Sequence, residues 1–274
     1  MNSISVLMCV YEKDNDSHFI EALKSLKLNK NFIDQTIIVI NGYISKIKKK
    51  EIIKNYQDLK INLIELPINL GLSRALNLGL AKVKSDWIAR FDSDDICLPE
   101  RFKMMKKSIE INKAEYDVIG TYIEEFNNYD QTTVLRKVPL TEKKIMERIL
   151  FSNPMNHVSV IFKASLLEKY KDPDFYPLID GFEDYALWIK LLSKKVKIKN
   201  LPIISVKVRA ANEMLERRGG IRYIFGEMKF RTLILKYIPI HKYPENFFYA
   251  FLRIIVFSSP SFLKKIFYRI KRKY

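Results

Sequence analysis

Residues 87–95 read WIARFDSDD, a short apolar run that ends in three closely spaced carboxylates. WIARF (87 to 91) has the length and composition of a buried strand, and Asp92, Ser93, Asp94 and Asp95 begin where that strand stops. Upstream lie three similar runs, ISVLMCV (4 to 10), TIIVI (36 to 40) and INLIEL (61 to 66). Between the first two, His18 to Leu28 sets Phe19, Ala22, Leu23 and Leu26 at helical spacing. Leu72 to Val83 does the same with Leu72, Ala75, Leu76, Leu80 and Val83. Strands that alternate with helices predict an α/β protein, a mostly parallel sheet with helices on both faces. Downstream, the pattern predicts a helix from Pro99 through Ile111, strands over 118–126 and 157–163, a helix from Glu183 to Ser193, and a strand over 203–208. From Asn212 the chain turns helical and basic, with no repeats and no Gly/Ser linker, so the boundary falls near 210. A domain over 1–210 carries the sheet, and a basic helical region occupies 211–274.

Of the 274 residues 48% are hydrophobic and 29% charged, enough apolar material for a real core and too little polar bias for a disordered chain. The two cysteines, Cys9 and Cys97, form no CxxC and no cluster with the three histidines, which argues against a disulfide framework and a zinc site. MNSISVLMCVY has no basic stretch before its apolar run, so it reads as a first strand and not a signal peptide, and a cytoplasmic setting is expected.

The net charge of +17 has a location. Residues 1–184 carry 27 Lys and Arg against 27 Asp and Glu, whereas residues 185–274 carry 21 against 4. Such an excess points to a phosphate-rich partner, either nucleic acid or an anionic membrane face. Nucleic-acid binding predicts aromatics interleaved with cations on an exposed sheet or groove, whereas here they follow amphipathic helical spacing. In 245–274 the apolar stretch is interrupted by Arg253 and Ser258, short of the roughly 20 residues that cross a bilayer. Phe262, Leu263, Ile266, Phe267 and Ile270 form a stripe, accompanied by Lys264, Lys265, Arg269, Lys271, Arg272 and Lys273. This region is expected to lie on an anionic membrane surface without spanning it. A helix packed against the rest of the protein is the other reading, and it suits Phe247 to Phe257 better than the final KRKY.

Two acidic groups carry candidate chemistry. Ligands of open parallel sheets bind beyond the carboxyl ends of the strands, where the loop 92–95 sits. Its carboxylates, Asp92 and Asp94 first, suit a hard divalent ion, Mg²⁺ or Mn²⁺, that shares its other positions with phosphate oxygens. The chain has no GxxxxGK[ST] loop to neutralise a phosphate otherwise. A solvated acidic turn is the plainer reading. The second group is Glu183 and Asp184 after Gly181, at a helix start. Carboxylates there are favoured by the helix dipole and serve as ordinary caps, or one of them takes a proton from an attacking hydroxyl.

The ordered motifs SVLMCVY, NLGLSRALNLGL, WIARFDSDDICLPERF, NPMNHVSVIFK, GFEDYALWIKLL, VKVR and ERRGG resemble glycosyltransferase family 2 over nearly the whole chain. More narrowly, they are similar to transferases of amylovoran, O-antigen and capsule biosynthesis. The resemblance implies the GT-A fold and an inverting, Mn²⁺- or Mg²⁺-dependent transfer of a hexose, galactose or glucose favoured, from a UDP-sugar. It implies a β1,3 linkage to a saccharide on undecaprenyl diphosphate, at the inner face of the plasma membrane. Asp184 would be the base, with Glu183 beside it. Asp92 and Asp94 would hold metal, ribose and diphosphate. Tyr11, Asn41, Arg74, Asn77 and Asp95 would line the donor site, and Arg90 either joins them or is an outward-facing strand residue. Asn41 stands where the family usually has an acid; it can still hydrogen-bond a uracil edge. His157 faces the acceptor side or is a satisfied structural histidine, and Arg217 and Arg218 reach a diphosphate or cap a solvated helix end. A sugar nucleotidyltransferase shares the fold type but needs a Gly-rich, basic N-terminal loop, and CVYEKDND is neither.

Overall fold

The computed structural model describes residues 2–111, 115–127, 132–172, 174–179, 181–209 and 221–259. Among these, nine strands form one sheet flanked by helices. The first strand, β1 (Ile4–Val10), is buried along its whole length between two parallel neighbours, β2 (Gln35–Asn41) and β4 (Trp87–Arg90). β3 (Ile61–Leu66) extends the parallel half beyond β2. Burial on both faces is why ISVLMCV reads as unbroken apolar sequence. Its alternate side chains divide between two cores. Val6, Met8 and Val10 join Phe19, Leu23 and Leu26 of α1 (Asp16–Lys27) and Phe102 and Met105 of α4 (Arg101–Ile111). Leu7 and Cys9 join Ala75, Leu76 and Leu80 of α3 (Leu72–Leu80) and Leu187, Trp188 and Leu191 of α7 (Glu183–Ser193). At about 1.5–3 kcal/mol for each large apolar side chain removed from water, these cores are the main favourable contribution to the fold.

Local signals set the helix starts. Asn15 accepts hydrogen bonds from the backbone N–H groups of Ser17 and His18 and caps α1. Ser45 caps α2 (Lys46–Lys54), whose Lys48 is buried in an ion pair with Asp16 at 3.1 Å. α3 begins at Gly71, where φ is 83°, and lies close on the sheet. A Cβ at Gly79 would come within 2.5 Å of the Leu7 side chain.

Beyond β4 the sheet is mixed. β8 (Ile161–Lys163) runs antiparallel to β4, β6 (Val118–Phe126) antiparallel to β8, and β9 (Ile198–Arg209) parallel to β6. β5 (Ile96–Cys97) closes the far side against β9, and β7 (Thr133–Arg136) pairs with β6. Four of the sequence-predicted elements match their structural bounds, β1, β3, β6 and α7. The strand predicted over 157–163 is shortened. Residues His157–Ser159 form a 3₁₀ turn because Ser159 Oγ donates to backbone carbonyls of Thr121 and Asn156. The short helices α5 (Glu142–Arg148) and α6 (Ser165–Tyr170) precede α7.

β9 ends at Arg209, beside the predicted boundary, yet the next helices belong to the same core. α8 (Ile221–Ile234) packs on α7, and α9 (Tyr243–Ser258) packs on α8. Phe230 stacks on Phe182 at 5.2 Å and tilts against Tyr185 at 4.6 Å. A buried polar network fixes the pair. Arg231 Nε donates to Glu227 Oε1 at 2.7 Å, and its Nη1 reaches Asn246 Oδ1 at 3.1 Å and the Leu150 carbonyl at 2.9 Å. Arg217, Arg218 and the basic stripe over 262–273 lie outside the described residues. No helix among the described residues is long and apolar enough to cross a membrane.

Candidate active site

The carboxyl ends of β1 and β4 bring two acidic segments together. Asp14, beyond β1, accepts from Ser93 Oγ at 2.7 Å and from the Tyr11 backbone N–H at 3.1 Å. Burial pushes the Asp14 carboxyl up, and the nearby Asp92 charge adds to this against its hydrogen bonds and Lys48. Asp94 is pushed up to about 6 by burial first, then by the charges of Asp92 and Asp14. The strand-end loop therefore concentrates negative charge that its own protein partners leave only partly neutralised. Tyr11 sits half-buried at the end of β1, and Arg74 is exposed on the first turn of α3.

Four residues expected to touch the donor are engaged with the protein. Arg90 is fully buried; its guanidinium donates to the carbonyls of Leu7 and Phe91 and to Asp92 Oδ1. It orients Asp92 from behind. Asp95, also buried, accepts the Arg209 backbone N–H at 3.0 Å, while Arg209 Nε donates to the Asp94 carbonyl at 2.7 Å. The VKVR segment thereby fixes the acidic loop. Asn41 Oδ1 accepts from Leu70 N at 2.9 Å and its Nδ2 donates to Asn69 at 3.0 Å, which shapes the turn into α3. Asn77 exchanges both its amide groups with the backbone of Tyr176, each at 2.9 Å. For Asp95, Asn41 and Asn77 the partner is distant in sequence, and Arg90 joins its neighbours Phe91 and Asp92 to the distant Leu7.

The second acidic group faces the same centre. Glu183 is buried and its carboxyl is pushed up to about 8, by burial first and then by the adjacent Asp184 charge. At neutral pH it is a neutral acid. Asp184 remains partly exposed, its Oδ2 accepting from Asn153 Nδ2 at 2.7 Å. Between the two groups stand Arg90, His157 and Tyr176. His157 Nε2 is 2.9 Å from the Tyr176 hydroxyl, and its ring lies against Trp188 of α7 at 6.1 Å. Burial, then the Arg90 charge, hold His157 well below its ordinary value, so it is a neutral, hydrogen-bonded ring here. Burial raises the Tyr176 hydroxyl, which also feels Arg90, Asp184, Glu183 and Asp92. Burial opposes the charge on Arg90, and the neighbouring Asp92 carboxylate favours it, with the balance on the raised side. Acidic groups far apart in sequence thus converge on one buried arginine and one tyrosine.

Sequence reasoning missed Asp14, Asn153 and Tyr176. Asp14 was findable as an acid just past a strand end. Asn153 lies in the NPMNH motif where only the histidine stood out.

Among the described residues no cluster of three or more His, Cys, Asp or Glu side chains is arranged to hold a metal. The loop offers a carboxylate pair, which fits a hard ion that completes its shell with phosphate and water.

This architecture is the GT-A fold. The chain superposes on S. aureus TarS 1–349 in complex with UDP-GlcNAc with a TM-score of 0.67 at 19% identity, covering 91% of this chain and 72% of that one. Another crystal structure of TarS 1–349 gives 0.66 at 17% identity, over 93% and 72%. The chain belongs to glycosyl transferase family 2, whose profile matches residues 5–170. It is 32% identical to the amylovoran biosynthesis glycosyltransferase AmsE of Erwinia amylovora, over 84% of this chain and 85% of the relative. It is also 32% identical to the UDP-Gal:alpha-D-GlcNAc-diphosphoundecaprenol beta-1,3-galactosyltransferase of Escherichia coli, over 82% and 80%. Its relatives include enzymes of exopolysaccharide and O-antigen biosynthesis.

Proposed function

We propose that this protein is a metal-dependent, inverting hexosyltransferase that moves galactose or glucose from a UDP-sugar to a saccharide on undecaprenyl diphosphate, forming a β1,3 linkage in O-antigen, capsule or exopolysaccharide assembly. The observation that carries this reading is the convergence of Asp92 and the partly exposed Asp184 on Tyr176, with Arg90 beside Asp92 and Asp94 next to Asp92 in the same loop. Asp184 accepts the proton of the acceptor hydroxyl as that oxygen reaches the anomeric carbon from the face opposite the diphosphate. Arg90 holds Asp92 toward the leaving group, and Glu183, a neutral neighbour, leaves Asp184 as the charged member of the pair. Asp92 and Asp94 would hold Mn²⁺ or Mg²⁺, whose chemistry is to neutralise charge developing on the departing diphosphate.

A panel of UDP-sugars with Mn²⁺ and a GlcNAc-diphosphate-lipid analogue tests donor and acceptor together. Activity is expected to disappear with a chelator and return with Mn²⁺ or Mg²⁺. Loss of a group next to a metal ligand costs about 10- to 100-fold in metal affinity, so Asp94→Asn, which alters a ligand itself, is expected to raise the half-saturating Mn²⁺ concentration at least that far. Full turnover in the chelator removes the metal from the mechanism.

The lipid-linked acceptor and an anionic membrane surface are supported by one face of α9. Phe247, Phe248, Phe251, Leu252 and Ile255 are all exposed, Phe251 to 61%, and they share one side of the helix, while Asn246, Ala250 and Phe257 face inward. No charged residue interrupts that outer stripe, and six Lys and Arg with no acid follow in residues 260–274. The surface lies at the inner face of the plasma membrane, where such acceptors are assembled. Burying one Phe contributes about 1.5–3 kcal/mol, so Phe251→Glu is expected to weaken partition to phosphatidylglycerol vesicles about 10- to 100-fold. Co-sedimentation measures it. Equal retention of variant and parent, or equal binding to neutral phosphatidylcholine vesicles, speaks against this surface.

A further inference from the structure

Asn153 has no part in the mechanism above, although its side chain is fixed at both ends. Its Oδ1 accepts the Met155 backbone N–H at 3.1 Å, which decides the orientation of the amide. Nδ2 must then point the other way, and it donates to Asp184 Oδ2 at 2.7 Å. The second oxygen of that carboxylate accepts the Tyr185 backbone N–H, also at 2.7 Å. Protein donors on both oxygens therefore set the plane of the carboxylate.

The loop that carries Asn153 is itself held from several sides. Tyr185 Oη donates to the Ile149 carbonyl, Arg231 Nη1 to that of Leu150 at 2.9 Å, and Arg253 Nη2 to that of Phe151 at 3.2 Å. α7, α8 and α9 therefore each contribute a donor to the five residues leading to Asn153. Three successive carbonyls held this way form a rigid mount, as a side chain that must orient a reacting group requires.

We propose that Asn153 is a positioning residue for the transfer reaction, holding the carboxylate of Asp184 at the angle from which it meets the acceptor hydroxyl. This rests on Asp184 being the proton acceptor. The amide works through the carboxylate and touches neither sugar.

The test compares Asn153→Ala, Asn153→Asp and Asp184→Asn in the full chain, measuring UDP release across pH and donor KM. Asn153→Asp is isosteric and still accepts the Met155 N–H, so the loop keeps its shape while the donor to Asp184 is lost and a second carboxylate faces it. A purely structural Asn153 would tolerate that change. Positioning instead requires kcat to fall on the order of 10²-fold in Asn153→Asp, and about 10-fold or more in Asn153→Ala, with donor KM within about twofold. It also requires the acid limb of the pH profile to move to higher pH in both, because a hydrogen bond to the charged form has been removed. Wild-type kcat and an unmoved limb in Asn153→Asp, with Asp184→Asn inactive, would overturn the positioning role and leave the base assignment standing. Turnover by Asp184→Asn removes the base assignment first. If Asn153→Ala melts far below the parent, Asn153→Asp alone decides.

Discussion

Asp184→Asn is expected to lower kcat by on the order of 10² to 10⁴, the range for losing a general base. The substitution is close to isosteric, and its single amide oxygen can still accept one of the two hydrogen bonds, from Asn153 Nδ2 or from Tyr185 N, that Asp184 takes on separate oxygens. What disappears is the capacity to take a proton. In the proposed mechanism donor binding falls to the other acidic group, so KM for the UDP-sugar should stay within about twofold when ground-state contacts are unchanged. Stopped assays of UDP release, alongside calorimetric titration of the donor, separate the two quantities. Full turnover with normal donor affinity would exclude Asp184 as the base.

The second large effect concerns stability. Arg231→Met removes the cation from a fully buried Glu227 and takes a donor from Asn246 and Leu150 together. Leaving a buried charge without its partner costs about 3–5 kcal/mol. Arg253, 3.3 Å from Glu227 Oε2, retains part of the compensation, so a value near the lower end is expected. Urea unfolding gives the number, and a loss under about 1 kcal/mol, within the reach of ordinary surface changes, would mean the network holds nothing together. The double variant Glu227→Met with Arg231→Met should recover most of the loss, since a buried pair replaced whole by apolar groups is often neutral.

Much of the fold was legible because its signals are local. β1 and β2 are buried on both faces and read as continuous apolar runs, and α7 begins at a Gly break with an apolar face behind it. α2 was not legible. KIKKKEIIK offers little apolar pattern, and the helix depends on Ile52 and on a buried Lys48 whose partner Asp16 lies on α1. β5 is two residues long and exists through its pairing with β9. The parallel order expected for the sheet holds from β3 to β4, whereas the mixed half needs long-range pairings that no window of sequence contains.

The site divides in the same way. Acids after a strand and at a helix start announce themselves by position, as Asp92, Asp94 and Asp184 did. Asn41, Asn77, Arg90 and Asp95 share those motifs, but their partners are Leu70, Tyr176, Asp92 with Leu7, and Arg209. A polar side chain in such a motif can hold up its neighbour as well as contact ligand, and the supporting role is visible only in tertiary contacts. The boundary near 210 follows the end of β9, yet Phe230 and Ile234 belong to the core of the preceding domain, so the helical region is joined to it by packing.

The bond from the Arg209 backbone to Asp95 spans 114 residues of chain. During synthesis, the parallel half leaves the ribosome well before β9 exists. For that interval the Asp95 carboxylate is without the backbone N–H that will hold it. Closing so long a loop is entropically slow, so competence to bind donor should arise late, after the last strand docks. A nascent chain released short of Arg209 would have a sheet but an unsettled acidic turn.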